Sequence, residues 1–292
     1  MLMTKPTVPA ADALLGRDYR VLDKGFVRLV DYLGGDARIV QSARVSYQDG
    51  TKSVREDAAL IDYLVRHKHT SPLEQVVLTF HLKMPIFVAR QWLRHRTARL
   101  NEISGRYSVM RDEFYLPEAR EVRRQSVVNK QGRSDDEVPL ELQERTLELL
   151  QTGQADAYAG YQELLDEDVA RELARINLPL SLYTEMYWQI DLHNLFHFLR
   201  LRLDAHAQAE IRVYAEVMAE LARTVAPLAY EAFEEHLLYA KTFSRSELEL
   251  LLGALDREGL GRSLTTSGLR KTRQQELLDK LAPVKARKPE VI

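Results

Sequence analysis

The alternation of apolar and polar positions is sharpest over Val76–Pro85 (VVLTFHLKMP). There Leu78, Phe80, Leu82 and Met84 alternate with Thr79, His81 and Lys83, which predicts a half-buried strand. Pro85 suits the first turn of a following helix that carries IFVARQWLRH, where Gln91, Arg94 and His95 have i, i+3, i+4 spacing and share a face. Upstream, Val21–Leu33 holds short β-compatible runs and stops at the turn signal Gly34-Gly35. Asp36–Val45 reads as a short helix capped by Asp36. Arg55–His67 reads as a longer one, because Leu60, Ile61, Leu64 and Val65 share a face, and Ser71-Pro72 breaks the chain after it.

Gly105 and the β-compatible RYSVM predict a loop returning to a strand, and Ser126–Val138 a polar surface loop. Beyond Pro139 the pattern is predominantly helical to about Lys241, with Leu192–Leu203 and Ala209–Leu228 as the best amphipathic segments. In the first of these, Leu192, Leu195, Phe196 and Leu199 form the apolar stripe, and His193 and His197 lie on another face. After Phe243 the character changes. Ser246 and Glu249 have capping-box spacing ahead of Leu248, Leu251, Leu252 and Leu255, and a Gly/Ser/Thr-containing linker leads to a helix around Gln274–Leu281. The expected organisation is a flexible tail over residues 1–17, the functional domain over 18–242 and a helical appendage over 243–292.

Composition narrows the function classes. The 292 residues are 45% hydrophobic, enough for a substantial core, and the net charge of −2 argues against a general polyanion binder. There is no cysteine, which excludes disulfides, thiolate metal sites and any cysteine nucleophile. No apolar run approaches the roughly 20 residues of a membrane helix. The first residues lack the apolar stretch of a signal peptide, so the expectation is a cytoplasmic protein.

Against that balance one segment stands out, Arg94–Tyr107 (RHRTARLNEISGRY), with four arginines around the single acid Glu102. A guanidinium is a planar fork that binds phosphate oxygens in pairs. Asn101 and Glu102 could hold a polar heterocycle or sugar, and Ser104 and Gly105 could cradle a phosphate. The same cluster also reads as a solvated helix end. HNLFH places His193 and His197 at the i, i+4 spacing of a zinc pair, but Asn194 stands where the metalloprotease pattern needs glutamate. HKHTSPLEQ (His67–Gln75) reads as a helix C-terminus and turn, which leaves Glu74 without a role. In LRLRLDAHAQAE (Leu199–Glu210), Arg200 and Arg202 straddle Leu201, and one of them could face a site.

Taken together these segments resemble the flavin-dependent thymidylate synthase family. Its signature is matched in register by Arg94, His95, Arg96, Asn101, Glu102, Ser104, Arg106 and Tyr107, and Arg99 stands where the family usually has serine. ARVSY (Ala43–Tyr47), HTSPLE (His69–Glu74), PIFVARQW (Pro85–Trp92), LPLSLYT (Leu178–Thr184) and LRLDAHAQAE (Leu201–Glu210) follow in the family's order and at its separations, over roughly Val21–Lys241. The resemblance implies an α/β (α+β) fold, with a twisted central sheet packed against helices and a helix-rich C-terminal half, assembled as a homotetramer. It implies conversion of dUMP to dTMP, with methylenetetrahydrofolate as carbon donor and NADPH-reduced FAD as hydride source.

By the same resemblance Arg94, His95 and Arg96, with Ser71, Glu74 and Glu102, are flavin contacts, and Asp191, His193 and His197 fall at flavin positions. Ser46 is a further flavin position. Gln91, Arg94, Glu102, Ile103, Ser104, Gly105 and Arg106 would form the dUMP site, completed by Arg175. Arg202 matches the arginine at the uracil edge that favours ionisation of the ring nitrogen, so it carries the catalytic assignment, and it would also touch dUMP. No metal, nucleic-acid or membrane partner is implied. Two readings from other classes compete: a nucleic-acid module built on the arginine cluster, and a metal-dependent hydrolase built on His193 and His197.

Overall fold

A computed structural model describes residues 7–45, 54–128 and 130–281. Its strands are β1 (Tyr19–Val21), β2 (Gly25–Leu33), β3 (Val77–Pro85), β4 (Arg99–Glu102), β5 (Arg123–Gln125), β6 (Arg133–Glu137) and β7 (Tyr183–Asp191). The helices are α1 (Pro9–Asp12), α2 (Asp36–Ala43), α3 (Val54–Arg66), α4 (Ile86–Trp92), α5 (Leu140–Asp166) and α6 (Arg171–Ala174), followed by α7 (Leu192–Arg202), α8 (Ala209–Val225), α9 (Pro227–Phe233), α10 (Arg245–Ala254), α11 (Arg257–Thr266) and α12 (Lys271–Lys280).

Five strands form one sheet in the order β1-β2-β3-β7-β4, with every neighbouring pair antiparallel. The alternation in β3 has the predicted sense: Leu78, Phe80, Leu82 and Met84 are fully buried. Val27 and Leu29 of β2 and Met186, Trp188 and Ile190 of β7 continue that inner face, which is covered by α4, α7 and α8. The predicted stripe of α7 (Leu192, Leu195, Phe196, Leu199) is buried in the same core. Trp92, Trp188, Phe198 and Tyr214 pack ring against ring at its centre. Gly25 is required there, because a Cβ would lie 2.1 Å from the Tyr214 hydroxyl, which itself donates to the Lys83 carbonyl at 2.8 Å.

A second, smaller core joins Met110, Phe114, Tyr161, Ala174 and Leu182. It packs α5 and α6 against the segment that follows β4. The contacts divide the chain into two compact units, Met1–Tyr239 and Ala240–Ile292. The second contains α10, α11 and α12.

Several local expectations are corrected. Asp36 does not cap its own helix: its carboxylate accepts from the backbone N–H groups of Leu228 and Ala229 at 2.8 and 3.0 Å, so it caps α9. Burial raises its pKa. Asp36→Ala should therefore cost about 1–2 kcal/mol, read as a fall in the urea midpoint. α4 ends at Trp92, so Arg94 and His95 lie in the turn after it and not on the helix. The strand near the arginine cluster is RLNE, ahead of Gly105, and RYSVM is a turn. Part of the expected loop Ser126–Val138 is β6, paired with β5. β7 interrupts the region expected to be helical. In the second unit the capping box is Ser244 with Glu247, two residues earlier than predicted, and α11 occupies part of the expected linker. Pro9–Asp12, within the segment expected to be a tail, is a short helix whose Ala11 is fully buried.

Candidate active site

The geometry is built from three groups of residues. The first forms where α7 ends beside the turn after α4. Arg202 Nε donates to His95 Nε2 at 3.1 Å, and Arg202 Nη2 donates to the Gln91 carbonyl at 3.2 Å. The Gln91 side-chain amide donates to Gln208 Oε1, tying this turn to the residue that precedes α8. Arg202 is half-buried, and burial lowers its pKa. A guanidinium can only donate, so the acceptor on His95 must be an unprotonated Nε2. The surroundings agree, since burial first, then Arg202 and His197, push the His95 pKa down to about 4.

That shift makes a pH prediction. The unfolded imidazole takes a proton near its ordinary 6.5 and the folded one only near 4. Stability is then full above about pH 6.5 and falls as the pH drops from there toward 4. Urea midpoints measured across this window should decline, and His95→Gln should flatten part of the decline.

The second group adjoins His95. Its ring centroid is 6.0 Å from that of His197 on α7. His197 and His193 line a cavity of about 240 Å³ with His69, Thr70 and Arg200, over an apolar wall that includes Leu64, Leu73 and Phe196. Burial, Arg200 and His193 lower the His197 pKa, so this imidazole also favours its neutral form. The turn Leu73–Gln75 packs against α7, and within it Glu74 accepts from the Thr70 hydroxyl at 2.9 Å. Ser71 is exposed at the start of this turn. Asp191 caps α7, with its two oxygens taken by the Asn194 backbone and side-chain amides at 2.9 and 2.8 Å. Its carboxylate is thus already occupied by the helix it starts.

The third group follows β4, an edge strand paired only with β7. Glu102 accepts from the Thr184 hydroxyl at 2.6 Å. Ile103 is partly exposed, and its N–H donates to the Glu185 carbonyl at 2.9 Å. The chain then turns tightly, with the Ser104 carbonyl accepting from Tyr107 and Ser108 at 3.0 Å and the Ser104 hydroxyl accepting from the Arg106 N–H at 3.3 Å. Tyr161 and Tyr158 of α5 hold the far end of this turn through the Met110 N–H and carbonyl, at 3.0 and 3.1 Å. Gly105 is buried against Arg175: a Cβ would meet Arg175 Cδ at 3.1 Å and Met110 Sδ at 3.2 Å. Arg106 pairs with Glu172 of α6 at 3.2 Å, with both side chains more than half exposed. Arg94, Arg96 and Arg99 are exposed, and none of them forms an ion pair within the described residues.

The structure thus brings Gln91, His95 and Arg202 together, and sets His193 and His197 beside them. It separately gathers Ser104, Gly105, Arg106 and Arg175. No hydrogen bond or ion pair among the described residues joins Arg106 or Arg175 to Arg202. Ser46 lies outside the described residues. Sequence reasoning assigned no role to Gln208, Thr184, Arg200, His69 and Thr70. A signal existed for each, because all five stand inside segments already quoted for their motif content. Among the described residues no group of three or more metal-binding side chains is gathered, and no helix is long and apolar enough to cross a membrane.

The family model of the thymidylate synthase complementing protein matches residues 28–228. A flavin-dependent thymidylate synthase of Treponema denticola is 67% identical over 237 residues, covering 81% of this chain and 89% of that protein. A Thermus thermophilus enzyme of the same name is 59% identical over 261 residues, covering 89% of this chain and 94% of its own. That match is longer than the first compact unit and runs into the second. Among solved structures, the UMP/dUMP methylase PolB from Streptomyces cacaoi bound with 5-Br dUMP is 32% identical, with a TM-score of 0.66 over 74% of this chain and 97% of PolB. Matched over most of its length by both the family model and these relatives, the chain belongs to the flavin-dependent thymidylate synthase family.

Proposed function

We propose that this chain makes dTMP from dUMP, with methylenetetrahydrofolate as carbon donor and NADPH as reductant. The observation that carries the reading is the half-buried guanidinium of Arg202, held by the Gln91 carbonyl and a neutral His95 beside the histidine-lined cavity, in a chain without cysteine. The usual covalent route to C5 methylation of uracil adds a thiolate to the ring, and this chain has none to offer. The cavity's donor set suits a flavin, with an apolar wall for an aromatic ring, imidazole and hydroxyl groups for its polar edge, and Arg200 for an anionic portion. His193, His197 and His95 would hold it, with Arg94, Arg96, Ser71, Glu74 and Glu102 as further contacts. FAD bound there supplies the hydride that NADPH provides.

The chain's own residues do the rest. Arg202 presents N–H donors to the uracil edge, where they stabilise charge developing on the ring nitrogen. Neutral His95 keeps that fork oriented without adding a competing positive charge. Arg175 and the Ser104–Arg106 turn receive the nucleotide phosphate, for which Arg106 exchanges Glu172 for the phosphate dianion. Arg99 contacts solvent or a neighbouring copy.

The active form is a homotetramer, with sites completed across subunits. Two observations support this: the phosphate group of residues is not bonded to the Arg202 group within one chain, and α5 leaves Leu140, Leu142, Leu149 and Leu164 exposed. Residues 18–242 carry the activity, in the cytoplasm. Purified protein should take up FAD and oxidise NADPH faster when dUMP is added. Protein that cannot be loaded with FAD would contradict the reading.

A further inference from the structure

One large cavity lies beside the first of these groups. The β5–β6 hairpin, the loop between α7 and α8, and the first turn of α8 enclose about 870 Å³, a volume that takes a sizeable part of a nucleotide or folate. Gln208 lines it and is bonded to Gln91, so its wall is continuous with the Arg202 group.

Three arginines line this cavity, and they are not equivalent. Arg133 is committed, with Nη1 at 3.1 Å from Glu121 Oε2 and Nη2 at 2.6 Å from Glu210 Oε1. Arg123 and Arg212 are half-buried and donate only to backbone carbonyls, Arg123 to those of Arg120 and Asp135 and Arg212 to that of Ala205. Neither forms an ion pair with a carboxylate among the described residues. The remaining acid of the lining, Asp135, is exposed. The formal charge of the lining is balanced, with three arginines and the three acids Glu121, Asp135 and Glu210, so what distinguishes Arg123 and Arg212 is that neither guanidinium is tied to a carboxylate among the described residues. Guanidinium forks match phosphate and carboxylate oxygens.

We propose that this cavity binds the anionic tail of a co-substrate, with Arg123 and Arg212 as its cationic contacts. The proposal rests on the function given above, which supplies two such tails, the phosphates of NADPH and the glutamate carboxylates of the folate. Both offer oxygen anions to the same pair of forks.

The test compares wild type with Arg123→Gln, Arg212→Gln and the double variant, all loaded with FAD. The double variant should raise the KM of one co-substrate about tenfold or more, as expected for losing charged hydrogen bonds, while the KM for dUMP stays within about twofold. A rise confined to NADPH identifies the phosphates, and one confined to the folate identifies the carboxylates. Unchanged KM values for both would overturn the proposal. Calorimetric titration with NADP+ and with tetrahydrofolate asks the same question without turnover. If the wild type makes no dTMP, weaker binding of one ligand by the double variant still supports the site, and equal binding overturns it. Should the double variant melt too low to use, the single variants carry the comparison, each with part of the effect.

Discussion

Replacing Arg202 with alanine should cut turnover by about 10²–10³-fold or more while FAD stays bound, the loss typical of removing a donor to developing charge. The position explains the size. Arg202 is the meeting point of α7 with the turn after α4, and its guanidinium is fixed by two acceptors, Gln91 O and His95 Nε2. Arg202→Lys should recover little, because an ammonium cannot reach both acceptors and still present a flat pair of donors to a uracil edge. The measurement is single-turnover dTMP formation with the flavin reduced beforehand, which separates this step from NADPH oxidation. Near-normal turnover by Arg202→Ala would remove the residue from its assigned role. Flavin loss in parallel with activity would instead make it a cofactor contact.

The second large effect is on stability. Glu210 is buried, and its Oε1 accepts both from Arg133 at 2.6 Å and from the Tyr115 hydroxyl at 3.2 Å. Burial and Glu210 push the Tyr115 pKa up, so that hydroxyl remains a donor. Arg133→Met strands the Glu210 carboxylate away from water and should cost about 2–4 kcal/mol, somewhat under the usual figure for breaking a buried pair because Arg133 is partly exposed. Removing both charges, as Arg133→Met with Glu210→Gln, should cost less than Arg133→Met alone. Urea denaturation of the three proteins decides it. Equal losses in the single and double variants would mean that the charge pair is not what fastens the β5–β6 hairpin to α8.

How much of this was legible in the sequence depended on whether a residue's surroundings were local. β3 was readable because four inward residues alternate with polar ones. β7 carries a related alternation, with Met186, Trp188 and Ile190 inward, but it sits among helix-forming stretches, and its strand state comes from pairing along the whole of β3. β4 has four residues and none of them is buried, so only its hydrogen bonds to β7 make it a strand. β5 and β6 are polar on both faces, and backbone carbonyls bonded by Arg123 and Arg133 help hold them.

The site divides the same way. The arginine-histidine cluster and Arg202 were visible as motif residues, and so was the glycine that lets Arg175 approach. The partnership of Arg202 with His95 was not visible, since it needs α7 and the turn after α4 to pack together. Nor was the bond between Gln91 and Gln208, which joins residues that are far apart in the chain. Asp36 gives the reverse case: a local capping pattern was plausible, and tertiary packing spent the carboxylate on α9 instead.

The central claim is cysteine-free methylation of dUMP, and the most direct measurement follows the carbon. The FAD-loaded protein is incubated with dUMP, NADPH and methylenetetrahydrofolate labelled in its methylene carbon. The account predicts dTMP with the label in the 5-methyl group, formed only when all three substrates are present. Unlabelled dUMP recovered intact, from protein that is folded and holds its flavin, would contradict it.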